Sequence, residues 1–407
     1  EPMGGFEFDL DDLSISPREE AEAFRWLREN DPVHWDAKGE RWLLTRHADV
    51  KAVSRQPDLF SSEPHGPWHA FESHFSMQAE DGRSHHRTRN VVSRGFTPRA
   101  TQHLAERVRR YADEAIDSVS AAGRCDVVQD IAVPVPMRII ADMLGLETRF
   151  DLFRSWVDAV TGTMSEEQRR VTEDRRKAAR EFEAYVRTVV EARTREPGDD
   201  LISTMLAGRD DGVFESFARD PFPGVPKGDG VLGFISFLVL AGSETTRHAI
   251  SLGMQALIEH PQERERLRAH PELLESATEE ILRWTAPVRA IQRTALRDTE
   301  LGGRQLRSGS RVVLLYGAAN RDEDVFEEPD RFRIDRPRND HVSFGFGSHF
   351  CLGANLARME IRHTIDRLLD RLPDLELAPG RPPCRFFSPI VNGLSEMPAV
   401  FTPPRDR

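Results

Sequence analysis

The residues best suited to chemistry lie in one short stretch, Phe344-Gly345-Phe346-Gly347-Ser348-His349-Phe350-Cys351-Leu352-Gly353. Its glycines allow backbone conformations and close approaches that a side chain would block, so the loop can lie flat against a large planar ligand. Cys351 comes just before a helical pattern running from Ala354 to Arg371. At a helix start, exposed N–H groups and the helix dipole favour a thiolate over a thiol. A second candidate is Ala241-Gly242-Ser243-Glu244-Thr245-Thr246, which interrupts a long apolar helical pattern from Val231 to His260. An acid beside two threonines is locally unfavourable there, because hydroxyls compete for backbone bonds and glycine weakens the helix. Glu280 and Arg283 are three apart, on one helix face and within ion-pairing reach.

The cysteine stretch reads as a haem-thiolate ligand loop, and Phe344, Gly347, Cys351 and Gly353 match the signature of the cytochrome P450 family position for position. The resemblance implies haem b as cofactor, with Cys351 as the axial iron ligand and Phe344, Gly353 and Ala241 against the macrocycle. In such enzymes the anionic sulfur pushes electron density toward the iron. By the same resemblance Thr245 holds bound oxygen by hydrogen bonds, Glu244 relays protons from solvent and Thr246 stabilises the helix. His85 and Arg89, in Asp81-Gly82-Arg83-Ser84-His85-His86-Arg87-Thr88-Arg89, match a haem-propionate segment, although Gly82, Arg83 and Ser84 replace its usual prolines and glutamate. Arg293 and His349 match two further propionate contacts. Glu280, Arg283 and Arg331 match a buried structural triad that anchors the cysteine loop.

For the substrate, the resemblance points to a pocket lined by Trp68, Phe71, Phe234, Phe237, Leu238, Val288, Arg289, Ile291 and Val391. Apolar entries dominate, so a hydrophobic substrate is expected. Arg289 either meets a substrate carboxylate or points at a propionate or solvent. The strings Arg283-Trp284-Thr285-Ala286-Pro287-Val288, Glu244-Thr245-Thr246-Arg247-His248 and Asn392-Gly393-Leu394-Ser395-Glu396-Met397-Pro398 resemble the actinobacterial group that oxidises the side-chain terminus of cholesterol and cholestenone. His65-Gly66-Pro67-Trp68-His69 and the long segment from Asp210 to Gly230 depart from that group. The implied reaction inserts one oxygen atom from O2 into a C–H bond of a bulky hydrophobic molecule, a steroid or isoprenoid side chain first. Electrons come from NAD(P)H through a ferredoxin reductase and a ferredoxin, since the chain shows no flavin or iron–sulfur motif. The alternatives are a biosynthetic enzyme acting on a macrolide, terpenoid or fatty acyl substrate, and a non-catalytic haem-binding sensor or scaffold.

These groups need a scaffold, and the pattern supplies one that is mainly helical. Helical periodicity covers Arg18–Glu29, Ala100–Ala122, Met137–Leu144, Phe150–Thr163, Glu166–Thr194, Val231–His260, Pro261–His270, Leu273–Thr285 and Ala354–Arg371. Strand signals are shorter: His34-Trp35, Arg41–Thr45, Gln292–Ala295, Arg311–Tyr316 and Ala399–Phe401. With no repeat and no linker, 407 residues read as a single domain with a small β lobe built from both chain ends and a flexible tail over residues 1–12. The resemblance adds a triangular prism-like fold with the haem between the distal helix and the cysteine-loop helix. A formal charge of −12 argues against nucleic-acid binding, which needs a basic footprint. Arg87, Arg89, Arg94, Arg99, Arg107, Arg109 and Arg110 nevertheless crowd one segment, and Arg358 and Arg362 lie one helical turn apart. In the family these segments flank the proximal face, where an acidic ferredoxin docks by electrostatic steering. Three scattered cysteines give no disulfide framework, and the N-terminal residues hold no apolar run of membrane-spanning or signal length. A soluble, cytoplasmic monomer is expected.

Overall fold

In the computed structural model, residues 9–12, 14–63, 77–147, 150–161, 173–209, 213–214, 230–386, 388 and 390–403 are described. The first third of the chain alternates short elements: α1 (Pro17–Asn30), β1 (Val33–Asp36), β2 (Arg41–Leu44), α2 (His47–Ser54), β3 (Phe60–Ser61), α3 (Gly82–Ser93), α4 (Pro98–Thr101), α5 (Ala105–Ser120) and β4 (Arg124–Asp126). Helices then follow one another: α6 (Pro134–Leu144), α7 (Phe150–Thr161), α8 (Glu173–Arg195), α9 (Leu201–Ala207), α10 (Gly230–Glu259), α11 (Pro261–Ala269) and α12 (Leu274–Thr285). Next come β5 (Ala290–Ala295), β6 (Thr299–Leu301), β7 (Arg304–Leu306), β8 (Arg311–Leu315), α13 (Tyr316–Ala319) and α14 (Ala354–Arg371). The chain closes with β9 (Glu376–Leu377), β10 (Cys384–Arg385), β11 (Leu394–Glu396) and β12 (Pro398–Val400).

Helix ends follow local chemistry. α1 begins with Ser16 and Glu19 in a capping box and Pro17 at its first turn, which satisfies free N–H groups that the helix cannot pair internally. α12 stops at Ala286, held at φ 39° in the left-handed region ahead of Pro287. The next segment therefore turns away toward β5.

The main sheet has strand order β1-β2-β8-β5-β3. β2 and β8 run parallel, with Leu43 opposite Val313, while β5 is antiparallel to β8 with Arg293 opposite Val312. The expected lobe thus draws on the N-terminal region and residues 290–315. The extreme C-terminal strand goes elsewhere, since β12 pairs with β4, Ala399 opposite Cys125, and with β9.

α10 is the axis of the helical part. It is apolar on nearly every side, as a helix buried all round must be, and it packs against α6, α12 and α14. The helix continues through residues 241–246. Ser243 donates to Val239 O at 2.6 Å, Thr245 to Ala241 O at 3.1 Å and Ser251 to Arg247 O at 2.9 Å, so these hydroxyls are satisfied inside their own helix. α14 packs against α5, α10 and α12, and this brings the cysteine loop at its start beneath α10.

Two expectations are corrected here. Leu10 is 1% exposed and its carbonyl accepts from Arg289, so the chain is already anchored at Leu10, inside the expected flexible tail; residues 1–8 lie outside the described set. The helical pattern over Ala100–Ala122 breaks into α4, a tight turn at Gln102–Leu104 and α5.

Candidate active site

The cysteine loop is shaped by two left-handed glycines. Gly345 has φ +71° and Gly347 φ +74°, and a side-chain carbon on Gly347 would come within 2.4 Å of Ser54 O. Only glycine meets both demands at that position. The loop then closes on itself, the Cys351 N–H donating to Phe344 O at 2.8 Å. Phe344 is buried, with Arg358 over its ring at 4.5 Å. Cys351 retains exposed surface, yet burial pushes its thiol up while the Gly353 N–H, Arg89 and Arg358 pull it down. Both observations hold for a residue on the wall of a deep cleft. A side-chain carbon at Gly353 would meet no atom within 4 Å, so the same cleft continues beside it.

The opposite wall is α10. Between Val231 and Ser251, Gly233, Phe237, Ala241 and Thr245 keep surface, each four residues apart, with Ser236 and Leu240 beside them, while Gly242 turns toward Ile140 of α6. The four at this spacing share one helical face. Phe237, Ala241 and Thr245 lie on it as expected, whereas Leu238 is buried beside it. Phe234 exposes nothing; its ring packs on Phe214 at 5.3 Å and Phe237 at 5.8 Å, so it backs the wall instead of lining the cleft.

Cations converge on one side. α3 carries His85 and Arg89, and the His85 ring lies 4.2 Å from that of His349. Burial lowers His85 to about 3, with His349 and Arg89 adding to the effect. Its Nε2 is buried with no hydrogen-bond partner among the described residues. Arg89 is lowered by burial and raised by the nearby Cys351, and it likewise has no hydrogen-bond or ion-pair partner among the described residues. Burial lowers His349, and the charge of Arg293, itself buried on β5, adds to the effect. His349 Nε2 is 3.1 Å from Ser62 Oγ and 3.4 Å from Asp81 Oδ1. Burial would raise Asp81, but His349, Ser61 and Ser62 hold it well below the usual carboxylate range. Beside the Asp81–His349 pair, His85 Nε2 and Arg89, which have no partner among the described residues, are donors that an anion would satisfy. A planar group bearing two carboxylates and a metal for Cys351 fits this cleft, its cations and the open side of Gly353.

Other expected residues divide. Val288, Ile291 and Val391 are half-buried, and Val288 bridges Val391, so these wall segments do come together. Trp68 and Phe71 lie outside the described residues. Arg289 is neither a substrate anchor nor a propionate contact: its Nε donates to Glu20 Oε1 at 2.6 Å and its Nη1 to Leu10 O at 3.1 Å. The triad also changes membership. Glu280 and Arg283 pair through two bonds of 2.8 Å, but the third member is Arg336, whose Nε reaches Glu280 Oε2 at 3.0 Å. The Arg331 side chain is 62% exposed and faces Glu328; it contributes its carbonyl, which accepts from Arg336 at 2.9 Å. A neighbouring brace was not expected. Glu279 accepts from Arg358 at 2.6 and 2.9 Å and lies 3.3 Å from His341, which removes Arg358 from the set of free docking cations.

Glu244 is buried, and Arg247 Nη2 donates to its Oε2 at 2.6 Å. Burial would raise its carboxyl, but Arg247 and His248 hold it below the ordinary value. Thr246 faces Glu360 of α14, whose carboxyl burial pushes far above the usual range.

The fold and site define a haem-thiolate enzyme. The sequence profile of the cytochrome P450 family matches residues 96–398, and the chain belongs to that family, as a monooxygenase with protoporphyrin IX haem as cofactor. Among its relatives, a steroid C26-monooxygenase of Mycolicibacterium smegmatis is 39% identical over 389 residues, spanning 94% of this chain and 92% of the relative. A steroid C26-monooxygenase of Mycobacterium tuberculosis is 37% identical over 399 residues, spanning 95% and 94%. Among solved structures, CYP109E1 from Bacillus megaterium in complex with testosterone superposes with a TM-score of 0.80 at 32% identity, over 95% of this chain and 100% of that one. No helix among the described residues is long and apolar enough to cross a membrane.

Proposed function

We propose that this monooxygenase hydroxylates the terminal carbon of a steroid side chain, with cholest-4-en-3-one as the representative substrate. The observation that carries the reading is the near full-length identity to several steroid C26-monooxygenases. The half-buried apolar residues Phe237, Val288, Ile291 and Val391 give the cleft a wall suited to such a molecule.

The residues take the following roles. Cys351 would hold the haem iron through its thiolate, and the haem, when bound, would supply activation of dioxygen for insertion into a C–H bond. His85, Arg89, Arg293 and His349 would hold its carboxylates and so fix its orientation. Ala241 leaves room on the distal wall. The Thr245 hydroxyl, now donating to Ala241 O, keeps its lone pairs toward the cleft side of the helix and can hold a proton-bearing partner there. Glu244, whose carboxylate accepts from Arg247, is the proton relay next to it, taking a proton up from the solvent side and passing it toward Thr245. Electrons arrive from NAD(P)H through a soluble reductase and an acidic ferredoxin. Arg94 and Arg99 are exposed and can steer it, with Arg107, Arg109 and Arg110 exposed nearby, each beside an acid, Asp142, Glu106 and Glu114.

The test is a spectral titration of the ferric protein followed by turnover. Cholest-4-en-3-one is expected to shift the iron toward high spin at micromolar concentration and to yield the terminal alcohol. No shift with this steroid, beside a clear one with a macrolide or a fatty acid, contradicts the steroid reading.

A further inference from the structure

Glu244 is 8% exposed, so a donor that must be recharged after each turnover has no direct access to solvent. Its surroundings show where protons can come from. His248, one turn further along α10, is fully buried, and its Nε2 stands 3.7 Å from Glu244 Oε2, too long for a direct hydrogen bond. Both ring nitrogens of His248 and the Nε of Arg247 are buried without a hydrogen-bond partner among the described residues. Three such nitrogens clustered behind one carboxylate are far from the ordinary state of a protein interior, where buried polar atoms are paired by protein or by ordered water.

The far wall of this cluster is the β10–β11 hairpin. The Phe386 ring lies 4.9 Å from the His248 ring and 5.6 Å from the Arg247 guanidinium. Gly393 is pressed so closely on the histidine that a side-chain carbon there would come within 2.2 Å of its Nδ1. Phe386 is only half-buried, so the surface is one side chain away. On the opposite side of α10, Thr246 faces Glu360, whose carboxyl burial pushes far above the usual range. A path over the substrate face of α10 would instead cross the apolar wall around Phe237.

We propose that protons reach Glu244 through a hydrated chamber behind α10, walled by Arg247, His248 and the β10–β11 hairpin, with His248 passing them on. The proposal rests on Glu244 being the proton donor. In each passage a water donates a proton to one ring nitrogen of His248, the proton on the other nitrogen leaves for the Glu244 carboxylate, and a water-assisted tautomer change resets the ring. No electrons move. A libration of the ring closes the 3.7 Å gap, as resting contacts in such sites commonly tighten in action. Arg247 is the positioning residue that keeps the carboxylate turned toward this chamber.

The experiment uses the haem-loaded protein in two arms. In a high-resolution crystal structure, ordered waters are expected on Arg247 Nε and on the His248 nitrogens, whichever substrate is turned over; a dry chamber overturns the proposal. In turnover with cholest-4-en-3-one and a surrogate ferredoxin system, His248→Phe is expected to lower kcat at least about tenfold, to raise the solvent deuterium isotope effect and to leave KM unchanged, with partial recovery in His248→Gln. Both variants must keep the carbon monoxide band of the parent. If Glu244→Gln slows turnover but His248→Phe does not, the route is wrong while the donor stands. If Glu244→Gln itself changes neither kcat nor the isotope effect, the donor reading falls and the route with it.

Discussion

The same four-residue motif, Glu-x-x-Arg with its ends three residues apart, is buried twice in this molecule with opposite outcomes. On α12, Glu280 accepts from Arg283, Arg336, Asn339 Nδ2 and the Arg333 N–H, and Arg283 passes its remaining N–H groups to the carbonyls of Asn320, Pro329 and Arg331. On α10, Glu244 has one hydrogen bond from Arg247, a histidine just out of bonding range, and three buried nitrogens around it without protein partners. A completed ionic network of the first kind ties helices to the loop leading to Cys351 and has no reason to change protonation. An incomplete one is costly to bury and is suited to groups that exchange protons. Burial and spacing are alike in the two places; the degree of satisfaction separates a brace from a relay.

The largest expected effect probes that separation directly. Glu280→Gln, which removes the charge that Arg283 and Arg336 jointly face, is expected to cost about 3 kcal/mol or more and to lower haem content. Glu244→Gln keeps one acceptor for Arg247 and is expected to cost about 1 kcal/mol. Equal losses in denaturant unfolding of the two variants would break the comparison.

Glu279, bound by Arg358 and His341, sharpens it through pH. Burial would raise its carboxyl, but these partners lower it from 4.5 to about 2. A carboxyl depressed on folding contributes stability above its unfolded value and loses it as pH falls through the folded one. Glu279→Gln is therefore expected to be less stable than the parent by up to about 3 kcal/mol at pH 7. The difference should shrink below pH 4.5 and vanish near pH 2. A gap independent of pH would remove Glu279 from the brace.

The smallest effect tests the corrected triad. Arg331→Ala takes away an exposed side chain and is expected to change stability by less than about 0.5 kcal/mol. Arg336→Ala leaves Glu280 short of a buried partner and is expected to cost several times more. Reversed magnitudes in thermal or denaturant melts would restore Arg331.

How far the sequence could be read depended on the range of the interactions. The glycine-flanked Cys351, the apolar run of α10 and the limits of α14 are local features, and Ala354–Arg371 came out as read. α3 carries His85 and Arg89 but has few apolar residues to show a period, since only His85, Thr88 and Val92 are buried in it. Arg331 and Arg336 sit five apart in one irregular loop, where no periodicity tells which turns inward. Arg289 finds Glu20 across 269 residues of chain, and Arg358 finds Glu279 across 79. Such partners are set by how helices and strands pack, which a motif does not carry. The missing proton partners of His248 were equally invisible, because absence of a contact is a property of the folded interior.

The most direct test of the account is the carbon monoxide difference spectrum of the reduced protein, compared among cysteine variants. Cys351 faces the cleft between α10 and α14, while Cys125 is buried on β4 with its thiol pushed up to about 12 by burial and Cys384 lies on β10. The parent, Cys125→Ala and Cys384→Ala are expected to show the band that gives cytochrome P450 its name, and Cys351→Ala is expected to lose it. A Cys351→Ala protein that keeps the band would contradict the assignment of the thiolate and, with it, the site built around that residue.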